Sequence, residues 1–425
     1  MLPQSPSPLR STAALLMCCA LLHSAGALAQ DALRDAAAGT KASLAGPATE
    51  VANPEAKDSE DLFLEEYMNY QMKLLKNWKL RVFASGTWRY DSNVFLRNVN
   101  AQHDMLWSAR PGFQYSYGDE TAKLQVLADY NAQFNFYDRF SQQNSINQFL
   151  SLSLNYRLQK TSFKFSGLFN KVTGGDLDVG GQAQRTNFTP QLQIMHEATE
   201  KVRVGITGQL QHTHYNSLIS SQTWRFGVFA DYAFSPRFRL GLQFNEMIQE
   251  VQQSGRQTGQ DYLVRMEYEA SKKLSITGSG GVHILHTISA GDATLPVGML
   301  GLKYAMSPKT SIYVNAYARA QNSPSLTGQF FQSQGLLAGI QQQLGTKITI
   351  GTDIGYDYSQ YHRYIAGLVS NRRDHVFFVR PWLKYTLSRH VSLEVFYQHT
   401  DNDSKGFGAQ PFVRDLVGAG LTSTW

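Results

Sequence analysis

The chain has 425 residues, a formal net charge of +6, 12 % aromatic residues including 21 Tyr, and two cysteines. Its mean hydropathy is −0.31, and after the first thirty residues it contains no run of eighteen apolar residues, which excludes membrane-spanning helices. Its basic residues are scattered singly, without the run or stripe that nucleic-acid binding requires, so no nucleic-acid partner is expected.

Residues 1 to 29 read as a secretory signal. Arg10 precedes an apolar stretch from Ala13 to Leu22, and Ala27, Leu28 and Ala29 form the small-residue site after which cleavage is expected. Cys18 and Cys19 both lie inside the apolar stretch without the small residue that a lipid-anchor signal places before its cysteine. A mature chain without cysteine suits an oxidising compartment. Residues 30 to 59 are rich in Ala, Gly, Thr, Pro and acids and bury too little apolar surface to fold alone, which predicts a disordered periplasmic tail. From 60 to 78 the apolar residues Leu62, Phe63, Tyr67, Tyr70, Leu74 and Leu75 recur at helical spacing, so a short amphipathic N-terminal helix is expected on the periplasmic side.

From Lys79 to Trp425 the period changes to two. Val202, Val204, Ile206 and Leu210 alternate with Arg203, Thr207, Gln209 and Gln211, and Phe238, Leu240, Leu242 and Phe244 alternate with Arg237, Arg239 and Gln243. Runs of eleven to fifteen such residues exceed the length usual for soluble sandwiches and suit a tilted crossing of a bilayer. The connections alternate between short and long. Four short ones form a near-repeat, YAFSPR from Tyr232, YEASKK from Tyr268, YAMSPK from Tyr304 and YTLSRH from Tyr385, with the Tyr suited to an interfacial aromatic belt. Eight short turns and nine long segments, the latter including 92 to 103, 173 to 184, 251 to 258, 288 to 294 and 361 to 371, predict eighteen strands. The fold class expected for 79 to 425 is therefore all-β, a transmembrane antiparallel up-and-down barrel in the outer membrane of a Gram-negative bacterium, in contact with its lipid, with short turns and both barrel ends in the periplasm. Val417, Ala419, Leu421 and the terminal Trp425 resemble the signature by which the barrel-assembly machinery takes its clients, with Ser423 as a departure.

The alternation assigns Arg81, Arg203, Arg225, Arg239, Arg265 and Arg319 to the lumen together with Asp231, Glu267, Asp353 and Asp357. Basic groups prevail in this pore-lining set, and Asp231 and Glu267 are expected to offset only part of the band formed by Arg203, Arg225, Arg239 and Arg265, which implies a mild preference for small anionic solutes. Inward aromatics, Phe83, Phe229, Tyr313, Tyr317, Trp382 and Phe396, suit either sugar stacking or packing on neighbours. The glycine-rich segment from Thr173 to Ala183, with Asp176 and Asp178, is the candidate constriction loop. No catalytic residue, cofactor or metal site is expected. His283 faces inward with no acid placed beside it by local spacing, His212 and His214 face outward, and the loop with Asp401, Asp403 and Gly406 carries Lys405 at a calcium-ligand position.

The segment RYDSNVF from Arg89 to Phe95, followed by Asp104, by Pro111-Gly112 and by Tyr-rich strands to Leu158, resembles the opening of a group of β-barrel porins often encoded with exopolysaccharide synthesis and export machinery. Asp91, Ser92 and Asn93 are turn-formers suited to the outer end of a first strand. The resemblance covers about seventy residues. It implies a porin-like channel conducting or assisting export of an extracellular polysaccharide; a receptor or scaffold acting through its loops or N-terminal helix is the alternative, and an outer-membrane enzyme a more remote one.

Overall fold

A computed structural model describes residues 78–119, 121–176, 181–287, 291–325, 329–363 and 371–425. The expected signal, the tail and all but the last residue of the expected N-terminal helix lie outside these residues. That last residue, Trp78, is already in a strand.

Eighteen strands follow one another: β1 Trp78–Asp91, β2 Asp104–Tyr117, β3 Leu124–Tyr137, β4 Ser145–Arg157, β5 Thr161–Asp176, β6 Gly181–Glu197, β7 Val202–Tyr215, β8 Ser221–Ser235 and β9 Phe238–Val251 form the first half. The second half is β10 Gly255–Ser271, β11 Leu274–Thr287, β12 Gly291–Ser307, β13 Thr310–Asn322, β14 Gln329–Leu344, β15 Ile348–Arg363, β16 Arg373–Ser388, β17 Val391–Lys405 and β18 Phe412–Thr424. Each strand pairs antiparallel with its neighbours in sequence, and β1 pairs with β18 from Phe83↔Thr424 to Asp91↔Leu416. The sheet is therefore closed around the barrel, and no strand is left as a full-length edge to recruit another chain. Reciprocal bonds between Val82 and Trp425, at 3.0 and 2.8 Å, extend the seam to the last residue.

The outward face is the one a bilayer requires. Leu242 is 68 % exposed, Val228 54 %, and Phe226 and Ile206 each 53 %, whereas the charged neighbours on the same strands turn inward. Such apolar area facing water would be unstable, so the barrel crosses a membrane through its strands. The short-turn end carries the aromatic belt that the near-repeat predicts: Tyr232, Phe234, Phe238 and Tyr268 form a chain of rings with centroids 4.9 to 5.8 Å apart.

The serine of that near-repeat has a specific task. At all four sites the register shifts by one residue just before the turn, between Ala233 and Ser235, Glu269 and Ser271, Ala305 and Ser307, and Thr386 and Ser388. The Ser hydroxyl then accepts the backbone N–H two residues on, at 3.1 to 3.3 Å, in Arg237, Lys273, Lys309 and His390. A bulge thus twists each strand end, and a short polar side chain satisfies the donor the bulge would orphan.

At the opposite end the strands run beyond the segments expected as loops. Thr173 to Asp176 pairs with Gly181 to Gln184, and Gly255 to Thr258 pairs with Ile248 to Val251, so the hairpins β5–β6 and β9–β10 project as paired ribbons. Strands of 13 to 17 residues exceed the roughly 9 to 11 needed to span a bilayer. The excess has no lipid to face, so its outward residues are polar, and in sequence it reads as loop.

Candidate functional site

The inner wall over β7 to β11 is a ladder of ion pairs. Arg203 on β7 donates to Glu267 on β10 at 2.9 Å and lies 3.5 Å from Asp231 on β8. Arg265 approaches Asp231 at 3.3 Å, Arg239 approaches Glu267 at 3.9 Å, and Arg225 approaches Asp261 at 3.3 Å. All four arginines of the expected basic band therefore have a carboxylate within 4 Å. The expectation that Asp231 and Glu267 offset only part of the band is corrected in one respect: Asp261, on the same wall, is a third anion, so four cations face three. Asp261 also accepts from Asn245 at 3.0 Å and from His283 Nδ1 at 2.7 Å. The inward acid beside His283 is thus Asp261, placed directly opposite it on the neighbouring strand.

The opposite wall repeats the theme. Asp353 accepts from the Tyr313 hydroxyl at 2.6 Å and lies 3.8 Å from Arg380, which donates to Glu394 at 2.8 Å. Asp357 accepts from Ser333 at 2.6 Å, from Ser359 at 2.8 Å and from Tyr317. Arg81, near the short-turn end, donates to Gln114 at 3.4 Å, and Arg319 lies over the Tyr317 ring at 4.5 Å.

The inward aromatics are held flat against the wall. Phe83, Phe229, Tyr313, Tyr317, Trp382 and Phe396 each stand directly opposite a glycine on the adjacent strand, in order Gly112, Gly205, Gly339, Gly335, Gly351 and Gly418. A Cβ on any of these glycines would come within 2.2 to 2.6 Å of the ring. For four rings the other face is taken by a guanidinium: Arg110 on Phe83 at 5.9 Å, Arg265 on Phe229 at 4.2 Å, Arg319 on Tyr317, and Arg380 on Phe396 at 4.8 Å. Glycine, ring and arginine form three-layer stacks that support the lumenal cations. Between the two uses expected for these aromatics, the stacks realise packing: for those four both faces are occupied, leaving none for a sugar.

The segment that enters the mouth is 92 to 103, between β1 and β2. Its entry is fixed at the seam, where Arg414 on β18 makes a two-pronged pair with Asp91, both about 2 % exposed. Ser92 exchanges bonds with Asp415, the hydroxyl accepting at 2.7 Å. Asn93 donates from Nδ2 to the carbonyls of Arg97 and Val413, at 2.8 and 3.0 Å, and accepts the Arg97 N–H. Val94 and Leu96 are then fully buried, the first with Leu106 and Tyr137 and the second in a cluster with Val376, Phe378 and Phe412, all inward residues of the wall. Leu96 has φ = 54°. That left-handed backbone costs about 1–2 kcal/mol, less than the roughly 1.5–3 kcal/mol from burying a leucine. On the far side Gln182 of the β5–β6 hairpin donates to the Val94 carbonyl at 2.8 Å.

The candidate constriction loop is accordingly corrected in its extent. Thr173 to Asp176 and Gly181 to Ala183 belong to paired strands. Asp176, buried, accepts from the Tyr215 hydroxyl at 3.3 Å, and Asp178 lies outside the described residues.

A second inward element is the tip of the β13–β14 hairpin. β12 stays paired with β11 up to Gly291, but the β12–β13 ladder starts only at Gly298↔Ala318. Arg319 to Asn322 pairs with β14 alone. Phe330, on the same alternation as the outward Leu336 and Ile340, packs instead on Met247, Leu285 and Leu295 of the inner wall. The tip has therefore folded in, and Ile219 N–H, from the β7–β8 connection, donates to the Pro324 carbonyl at 2.9 Å. Pro296 sits on the exposed edge of β12, where an absent N–H costs nothing, and its carbonyl accepts from Gln332 at 3.4 Å.

No family model matches the chain, and no curated protein does. Among solved structures, OccAB3 of Acinetobacter baumannii is 9 % identical with a TM-score of 0.44 over 83 % of this chain and 100 % of that one. OpdO of Pseudomonas aeruginosa is 9 % identical with a TM-score of 0.45 over 84 % and 99 %. The siderophore receptor PirA of Pseudomonas aeruginosa is 11 % identical with a TM-score of 0.37 over 81 % and 80 %. Likeness of this order says nothing about what passes through the barrel or binds in it.

Proposed function

We propose that the protein is a porin-like channel of the bacterial outer membrane, with its short-turn end in the periplasm and its two inward elements at the external mouth. The observation that carries this reading is the pairing of an apolar outer face with a polar, ion-paired inner wall in a closed barrel of eighteen strands, a size at which a lumen is left between the walls. Insertion by the barrel-assembly machinery through Trp425, a periplasmic N-terminal tail and a non-catalytic role are parts of the same proposal. Export of an extracellular polysaccharide is its finer form. It rests on the resemblance around Arg89 to Phe95, and the covered faces of four of the six inward rings shift it towards hydroxyl contacts to the charged ladder.

Single-channel recording in planar bilayers tests the reading: the refolded barrel should give discrete conductance steps. A folded barrel that passes no current would favour the receptor or scaffold, a reading that the buried Val94 and Leu96 of segment 92 to 103 support because they fill part of the mouth.

A further inference from the structure

The wall of the barrel parts between β12 and β13. Their ladder ends at Gly298↔Ala318, and among the described residues no backbone pair joins residues 292–297 to residues 319–322. The neighbouring ladders do not stop there: β12 stays paired with β11 to Gly291, and β13 with β14 to Asn322. A proline alone does not account for the gap. Pro111, Pro190 and Pro381 each interrupt a ladder by two positions, after which pairing resumes, whereas beyond Pro296 it does not.

The gap lies at a telling depth. Tyr304 holds the belt position of the near-repeat at the short-turn end, and Gly298 lies six residues from it along β12. At about 3.3 Å per residue and a tilt of about 40° that is roughly 15 Å, past the middle of an apolar band about 25 Å tall. The open edges therefore stand at the level of the external leaflet, where an unpaired backbone group is tolerated only if protein covers it or it lines a wet cavity. Both remedies are present. Pro296 has no donor to lose, and its carbonyl accepts from Gln332 of β14 at 3.4 Å. Behind the edges lies a recess of the lumen whose lining takes both phases of the alternation, Val297 and Met299 from the inward set and Gly298, Ala318 and Ala320 from the outward one. One cavity thus reaches from the lumen into the plane of the wall. Its inner side is apolar, with Met247, Leu285, Leu295 and Phe330 in one cluster. The lipid face beside the gap is apolar too, Leu300 being 45 % and Val282 40 % exposed.

We propose that the interval between β12 and β13 is a lateral portal, through which an acyl chain passes between the lumenal recess and the external leaflet. By this route the chain stays on apolar surface from the lipid to Phe330, whereas an axial route takes it past the ion pairs of the β7 to β11 wall. The portal deepens the channel reading and rests on it for the lumen it opens into, while its test follows the wall and not the current.

The full chain is refolded into phosphatidylcholine vesicles containing a phosphatidylcholine with a photoactivatable diazirine in one acyl chain, and mass spectrometry maps the labelled residues. Leu295 and Phe330 should be labelled about tenfold above Phe149, a buried inward residue whose strand is paired on both sides at that position. Outward Leu242 gives the full signal. In the double variant Pro296→Cys with Ala320→Cys the two positions stand opposite each other if the register of Gly298↔Ala318 is continued, and a disulfide holds the edges within about 7 Å. Oxidation should then cut the labelling of Leu295 and Phe330 about tenfold and leave Leu242 unchanged, and reduction should restore it. Ala320→Trp, which fills the interval without a crosslink, should act like oxidation and carries the test if gel mobility shows that the double variant does not fold. Labelling of Leu295 and Phe330 no higher than that of Phe149, or labelling that persists after oxidation or in Ala320→Trp, would overturn the portal. Recess labelling in a barrel that carries no current would keep the portal and sink the channel; current without recess labelling would do the reverse.

Discussion

Replacing Asp91 by Ala probes the point on which barrel closure and mouth geometry both depend. The carboxylate accepts Arg414 Nε at 2.9 Å and a second guanidinium bond, and also caps the Asn93 N–H at 3.0 Å. Both members of the pair are about 2 % exposed, so the truncation leaves a guanidinium buried without its anion. Removing one partner of such a pair costs about 3–5 kcal/mol. The pair Lys405–Asp403 is the control: its members are 76 % and 54 % exposed, and Asp403→Ala should cost about 0–1 kcal/mol. Urea unfolding of the barrel in phosphatidylcholine vesicles, followed by Trp fluorescence and gel mobility, reads the difference. With a slope of about 2–3 kcal/mol/M the Asp91→Ala midpoint falls by roughly 1–2 M. The double variant Asp91→Ala with Arg414→Leu should recover part of the loss, because no buried charge then stands alone. An Asp91→Ala unfolding free energy within about 0.5 kcal/mol of that of the Asp403→Ala control would refute the seam as a point of closure.

Gly335→Ala should cost about 1–3 kcal/mol, since its Cβ would lie 2.2 Å from Tyr317 Cζ, and the loss should shrink in a Tyr317→Ala background in the same unfolding assay. Leu96→Asp should expel segment 92 to 103 from the mouth and raise single-channel conductance, whereas Leu96→Met should leave it unchanged; equal conductance in both would mean that the segment does not limit flow. With four arginines and three carboxylates on the β7 to β11 wall, wild-type selectivity should be weak. Reversal potentials should move towards anions in Glu267→Gln and towards cations when Arg225, Arg239 and Arg265 become Gln, and the absence of opposite shifts would mean that this wall is not where ions are sorted.

The barrel is legible because its information is local. A period of two, repeated Tyr-x-x-Ser turns and alternating connection lengths each occupy a few residues, and together they yield eighteen strands at the observed places. The hairpin tips are not legible in the same way. Beyond the bilayer an outward residue gains nothing by being apolar, so Gly255 to Thr258 and Thr173 to Asp176 lose the alternation while keeping their ladders. The inward segment left a trace that could have been used. Val94, Phe95 and Leu96 are three consecutive apolar residues in a connection whose other apolar residues, Val99 and Ala101, stand singly, and such a run needs something to cover it.

The lumenal chemistry is hidden for a different reason. Asp261 and His283 are 22 residues apart and meet only because β10 and β11 are in one particular register; a slip of one residue would send one of them to lipid. The same register sets each of the six rings opposite its glycine and the four arginines of the β7 to β11 wall beside a carboxylate. Alternation can assign a side chain to the lumen, but whether the charge there is available or spent depends on the residue across the ladder. A net count of inward charges therefore overstates the field a solute meets on this wall. The more informative quantity is how many donors share each carboxylate: Asp231 faces Arg203 and Arg265, Glu267 faces Arg203 and Arg239, and Asp261 faces Arg225 and His283.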